Sequence, residues 1–181
     1  DALGVWFENS SNLVNELITA LRLNSQEMVS VVGESIELAT ALQAKYEITQ
    51  TSINFVEFWA KLVESEKLLA LLDDKAALRE YAANHQVVDV VKSEPLPNEV
   101  KLSAQTFIEA LRKITPRLYS IASAQSEVEE EVHLTVGLVQ YQAGDEVRQG
   151  GASGFLANGS EEGGEVKVFI EHNDNFRLPA D

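Results

Sequence analysis

The chain has 181 residues and is 45% apolar, which suits one domain, or one domain and a subdomain, with a real core. A formal charge of −15 argues against a nucleic-acid or anionic-membrane surface, since either needs clustered Lys and Arg. The absence of cysteine excludes disulfides, iron–sulfur ligation and thiolate catalysis within these residues.

Asp1-Ala2-Leu3-Gly4 lacks the basic stretch that opens a secretory leader, and the longest apolar runs fall far short of a membrane span. A cytoplasmic setting is therefore expected. Residues 1–10 are taken as a short segment of a β-barrel, and residues from about Ser11 to Ile114 read as helices. Asn9-Ser10-Ser11 offers capping oxygens before the stripe Leu13, Val14, Leu17, Ile18 and Leu21. Phe55, Phe58, Trp59 and Leu62 form a second stripe, and Leu68–Leu72 a third apolar block. Lys75–Tyr81 continues helical, with Asp73 and Asp74 at its start, where the helix dipole favours anions. Val87–Val91 suits a short helix or a strand. Glu94-Pro95-Leu96-Pro97-Asn98 breaks the chain, because neither proline continues a helix. Ser103 then opens the last helix, through Phe107, Ile108 and Leu111.

From Thr115 the pattern changes to strands. Val132, Leu134, Val136 and Leu138 alternate with His133, Thr135 and Gly137, which predicts a half-buried strand. Gln142-Ala143-Gly144-Asp145 turns the chain, and Val166, Val168 and Ile170 alternate again. The acidic run Glu127, Glu129, Glu130 and Glu131 is expected in a solvated hairpin turn. The fold class is α+β, with a helical block inserted into a small antiparallel barrel that these residues leave incomplete. The segments are 1–10, 11–114 and 115–181.

Two groups in the last segment carry chemistry. Arg117-Leu118-Tyr119-Ser120 sets a fixed cation, an aromatic ring and a hydroxyl on one extended stretch, with Arg117 and Tyr119 on one side. Gly150-Gly151-Ala152-Ser153 is a small-residue turn leading into the apolar run Phe155-Leu156-Ala157. Unpaired N–H groups at such a helix start suit a phosphate. Singly, each is ordinary: a surface arginine, a packed tyrosine, a plain turn. Together they suggest a dinucleotide held without a Rossmann fingerprint, with Arg117 the one cation well placed for its phosphates.

The run Thr115-Pro116-Arg117-Leu118-Tyr119-Ser120-Ile121-Ala122-Ser123 resembles the FAD-binding signature of the ferredoxin–NADP reductase superfamily. Thr135-Val136-Gly137, Tyr141, Gly150–Ser153 and the stretch from Phe169 to Pro179 resemble the diflavin reductases, most closely the branch that serves sulfite reduction. The likeness runs from Gly4-Val5-Trp6 to Leu178-Pro179 and is tightest from Thr115 onward. It implies an FAD-binding barrel interrupted by a helical connecting subdomain. FAD would take hydride from NADPH and pass single electrons to FMN, then to a haem-containing sulfite reductase subunit. It also implies strands before Asp1, a flavodoxin-like FMN domain, and an NADPH-binding domain after Leu178-Pro179, all outside these residues. The 181 residues alone are expected to be inactive.

The resemblance assigns roles residue by residue. Arg117 would bind the FAD pyrophosphate with a bidentate, permanently charged guanidinium. Leu118 belongs to the same motif, Tyr119 would lie along the isoalloxazine face, and Ser120 would hydrogen-bond near N5, the catalytic position. Thr135, Val136 and Gly137 would meet the flavin through backbone groups. Tyr141 would sit by the adenosine half, and Gly150, Gly151, Ala152 and Ser153 would cradle the pyrophosphate. Thr49 and Ala83 in the helical block align more loosely with FAD contacts.

His85, His133 and His172 have separations that match no metal motif. Trp6 and Trp59 read as core residues, and Glu57, Glu64 and Glu66 as a solvated helix face. Two other readings stay open: another diflavin reductase with a different acceptor, such as a cytochrome reductase, or a helical spacer that binds nothing itself.

Overall fold

The computed structural model describes residues 1–160 and 163–173. The stretch Asp174-Asn175-Phe176-Arg177-Leu178-Pro179, which carries part of the resemblance, lies outside them. Strand β1 (Ala2–Val5) leads into helix α1 (Ser11–Leu21), a hairpin of β2 (Met28–Val31) and β3 (Glu34–Glu37), and helix α2 (Leu38–Ala44). Five more helices follow: α3 (Ile53–Val63), α4 (Glu66–Leu71), α5 (Lys75–Asn84), α6 (Val87–Ser93) and α7 (Ala104–Glu109). Strand β4 (Arg117–Ser120), helix α8 (Gln125–Val128) and the hairpin of β5 (Gln140–Ala143) and β6 (Glu146–Gln149) come next. Helix α9 (Gly151–Gly154) widens into a π-turn over Phe155–Gly159, and β7 (Val168–Glu171) ends the described part.

The helices start where side chains can accept their first free N–H groups. Ser10, Ser52, Ser65 and Ser103 each accept from the N–H three residues on, and Asp74 accepts from Ala76 and Ala77. The ambiguous Val87–Val91 run is helical: Gln86 and Asp89 form a reciprocal capping box, and Val87, Val88, Val90 and Val91 are buried. The apolar stripes converge on one core running from Val14 to Leu111. At its centre Phe55 stacks on Trp59 at 5.9 Å and meets Phe107 edge-on at 6.0 Å. The Trp59 indole N–H donates to the Glu94 carbonyl at 2.9 Å, so this large side chain is buried without an orphaned donor.

Three antiparallel sheets are present among the described residues, ordered β4-β1-β7, β2-β3 and β5-β6, and none closes into a barrel. In the first, β1 pairs with strands that lie beyond the helices, Val5 opposite Arg117 and Gly4 opposite Phe169. The Phe169 ring lies over Gly4, in the space that a Cβ at this position would take. No helix among the described residues is long and apolar enough to cross a membrane. None of their His, Cys, Asp or Glu residues cluster so as to hold a metal ion.

The structure departs from the sequence reading in four places. The block after Ser11 is not wholly helical: Val29 and Val31 turn inward on β2, and Val32-Gly33 adopt the left-handed pair (φ 51° and 84°) that closes a tight hairpin. Val132–Leu138 forms no strand. Only Leu134 finds a bridge, to Ile121, and a strand needs a neighbour along its length. The acidic run lies on α8 and the turn after it, not in a hairpin, and its side chains are exposed as expected. Trp6 is 44% exposed: Val5 and Phe7 take the buried side of β1 and its continuation, which leaves Trp6 facing outward.

Candidate functional site

A second, smaller cluster joins the sheet to the helices. Phe7, Ile114 and Ala152 are buried together, with Tyr119 and Phe155 packed against them. Its position follows from the chain path. Lys45 O accepts from Ile114 N, Glu47 N donates to Arg112 O, and Tyr46 bridges Lys113, so the segment after α2 runs beside the lead into β4.

Strand alternation brings Arg117 and Tyr119 to the half-buried side, while Leu118 and Ser120 are exposed on the other. The Arg117 guanidinium lies 5.8 Å over the Phe7 ring. The same ring abuts Gly151, where a Cβ would strike it and stand 2.8 Å from Thr49 Oγ1. Arg117, Thr49 and Gly151 therefore meet around Phe7. Glu47 ties two of them: its Oε2 accepts from Arg117 Nη2 at 3.1 Å, and its Oε1 accepts from Thr49 N at 3.0 Å and Thr49 Oγ1 at 2.6 Å. The Glu47 side chain is only 2% exposed, that of Arg117 40%.

The glycine turn is braced from behind. Gly150 N donates to Val139 O at 3.0 Å, and Ser153 Oγ accepts from Val139 N at 3.1 Å. The Ser153 hydroxyl is thus occupied within the loop, and the first-turn N–H groups of α9 are the donors it can offer. Thr135, Val136 and Gly137 lie on the segment between this brace and the end of β4, where Ala122 N reaches His133 O. Thr135 and Gly137 are exposed and Val136 half-buried. Tyr141 is half-buried on β5 opposite Arg148. Ala83 is exposed on α5, outside the constellation. Burial raises the hydroxyl pKa of Tyr119 and of Tyr141; Arg117 opposes the rise at the first, and a hydrogen bond with Gln86 at the second.

A cleft of about 620 Å³ adjoins the turn, lined among others by Asn9, Thr49, Gln86, Arg148, Gly150 and Gly151. Asn9 Nδ2 donates to Leu42 O and Tyr46 O, both at 2.7 Å, while its Oδ1 is buried with no partner among the described residues. Arg148 is a second cation beside the glycine turn, so Arg117 does not stand alone there. However, Arg148 Nη1 and Nη2 bind Glu16 at 2.8 and 3.0 Å, and its Nε binds Asp89 at 2.9 Å. Arg117, with one contact to Glu47 and one to Thr115, keeps further N–H groups for an anion.

Sequence reasoning missed Phe7, Glu47 and the Arg148 network. A carboxylate between Tyr46 and Ile48, both buried, was the one available sign of Glu47.

A family model described as FAD binding domain matches residues 1–155. The chain is similar to the sulfite reductase (NADPH) flavoprotein alpha-component of Vibrio parahaemolyticus, 54% identical over 181 residues, which is all of this chain and 28% of the relative. The protein of that name from Vibrio cholerae is 55% identical over 181 residues, covering 29% of its length. That from Salmonella typhimurium is 54% identical over 180 residues, or 99% of this chain and 29% of the relative. The chain thus spans less than a third of the curated relatives it matches. The match across most of its residues, together with a cation and a glycine turn gathered on one aromatic ring, makes this chain a member of the FAD-binding domain family.

Proposed function

We propose that this chain is the FAD-holding part of an NADPH-dependent diflavin reductase that serves a haem-containing sulfite reductase subunit. The names of its relatives support the acceptor. The observation that carries the cofactor site is the meeting of Arg117, Thr49 and Gly151 around Phe7. A pyrophosphate needs more than one donor group, and here a guanidinium and a helix start both lie against the Phe7 ring.

On this reading Arg117 and the backbone N–H groups of Gly151, Ala152 and Ser153 bind the pyrophosphate, and Gly150, packed against Val139, completes the cradle. Tyr119 supports the flavin ring, and Thr135, Val136 and Gly137 meet it through backbone groups. Tyr141 sits by the adenosine half, and Thr49 and Ala83 are further FAD contacts. Ser120, at the exposed end of β4, donates to the flavin near N5 and is the proposed catalytic residue. When bound, FAD supplies the hydride acceptor and the one-electron donor; the protein supplies orientation and electrostatics. The helices between Ser11 and Ile114 are read as a connecting subdomain inserted into a barrel to which residues 1–10 and 115–181 contribute. A flavodoxin-like FMN domain and an NADPH-binding domain of the same polypeptide complete the path, in a cytoplasmic setting.

The test is flavin titration of the full-length protein, using FAD and FMN on variants that bind at this site alone. FAD should bind in preference, since FMN has one phosphate and cannot span both donor groups; equal affinities would remove the assignment. Ser120→Ala should then slow flavin reduction by NADPH while FAD content stays near normal, because a hydrogen bond at N5 matters most as charge redistributes.

A further inference from the structure

We propose that Glu47 is a positioning residue of the cofactor site, a buried carboxylate that sets Arg117 and Thr49 in place before FAD arrives. The inference rests on the FAD reading above and adds a residue that no signature motif contains. Burial at 2% exposure is unusual for a carboxylate and requires a set of donors. Glu47 has three: the N–H and hydroxyl of Thr49, two residues on, and the guanidinium of Arg117, 70 residues away. Its own N–H is pinned to Arg112 O, so the carboxylate is held at the seam between helices and sheet.

The arrangement has a specific consequence for Arg117. An arginine side chain that is 40% exposed would otherwise sample many rotamers and lose that freedom on meeting a phosphate. Here Glu47 takes Nη2 and Thr115 takes Nη1, which fixes the guanidinium over Phe7, the ring that Gly151 also abuts, and leaves its remaining N–H groups unused. A negative charge so near a pyrophosphate opposes binding by itself. Buried between its two partners, it acts through geometry, by fixing the cation on one side and Thr49 on the other.

The test is a double-mutant cycle on FAD affinity, measured by fluorescence quenching on the full-length protein after flavin removal. Glu47→Gln keeps the volume and still accepts from Thr49, but turns an amide N–H₂ toward a guanidinium. FAD affinity should fall about tenfold, the scale of one charge-assisted contact. In an Arg117→Ala background the same substitution should change affinity by less than about twofold, because its lever has gone. If Glu47→Gln proves poorly folded, Glu47→Asp keeps the buried charge, withdraws it by one methylene, and should give the same non-additive pattern. Equal losses in both backgrounds would mean a merely structural role, and unchanged or tighter binding in Glu47→Gln would overturn the proposal outright. A normal affinity in Arg117→Ala alone would instead fail the FAD-site reading itself, so the two failures are distinguishable.

Discussion

The helices between Ser11 and Ile114 and the strands on either side of them are stabilised in different ways. The helical region gathers its apolar stripes into one continuous core in which Leu17, Phe55, Trp59, Phe107 and Ile108 are essentially sealed from water. Among the described residues the strands have little core of their own. Leu118, Val168, Phe169 and Ile170 on the β4-β1-β7 sheet are exposed, and the strands are tied to the helices by the small Phe7 cluster and by ion pairs. The site residues sit at that seam and not within the core. A rigid helical body can therefore hold Glu47 and Thr49 still, while half-buried Arg117 and Tyr119 remain open to a ligand.

If that contrast is correct, the largest loss of stability comes from the helical core. Trp59→Ala should cost about 3–5 kcal/mol in urea unfolding, the range for deleting a large aromatic from a packed interior. A loss under about 1 kcal/mol would mean that the interior is loosely packed.

The seam should be weaker, and charged. Arg148 is buried and binds Glu16 on α1 and Asp89 on α6, clamping the β5–β6 hairpin to the helices. Arg148→Ala should cost about 3 kcal/mol, because two partly buried carboxylates lose their shared guanidinium and Glu16 is left with Lys92 alone. The hydrogen bond from Arg148, aided by one from Lys92 and opposed by burial, lowers the Glu16 pKa from 4.5 to about 2. Glu16 therefore stabilises the fold fully above pH 4.5, and its contribution is lost as pH falls from 4.5 toward 2. Arg148→Ala should flatten this part of the stability–pH curve; an unchanged acid limb would show that the clamp is unimportant.

Much of this was legible in the sequence because it is local. Ser10, Asp74 and Ser103 mark helix starts through oxygens within three residues, and the Glu94–Asn98 prolines mark a break by their own covalent geometry. Arg117 and Tyr119 were placed on one face by alternation alone. What failed was non-local. Val132–Leu138 has a strand's pattern, yet pairing depends on a neighbour that the pattern does not encode. Trp6 looked like core because of its size, whereas its exposure follows from the buried positions of Val5 and Phe7. Glu47 became visible only when the chain brought Arg117, 70 residues away in sequence, to its side.

A smaller effect is expected at the β2–β3 turn. Val32 is 90% exposed and holds a left-handed φ of 51°, where its branched Cβ crowds the backbone. Val32→Asn creates the Asn-Gly pair favoured in such turns and should raise stability by about 1 kcal/mol. Because this hairpin belongs to the helical region, FAD affinity should not change with it; a change would mean that the two regions are coupled more widely than the seam contacts imply.

The most direct measurement is the FAD affinity of the flavin-stripped full-length protein with Arg117 intact and with Arg117→Ala. The account predicts a loss of roughly 2–4 kcal/mol in the alanine variant, from the removal of charge-assisted hydrogen bonds in a half-buried site. Arg117→Lys should recover only part of it, since an ammonium cannot make the bidentate contact. An alanine variant that takes up FAD with undiminished affinity would contradict the account and leave Arg117 a surface charge paired with Glu47.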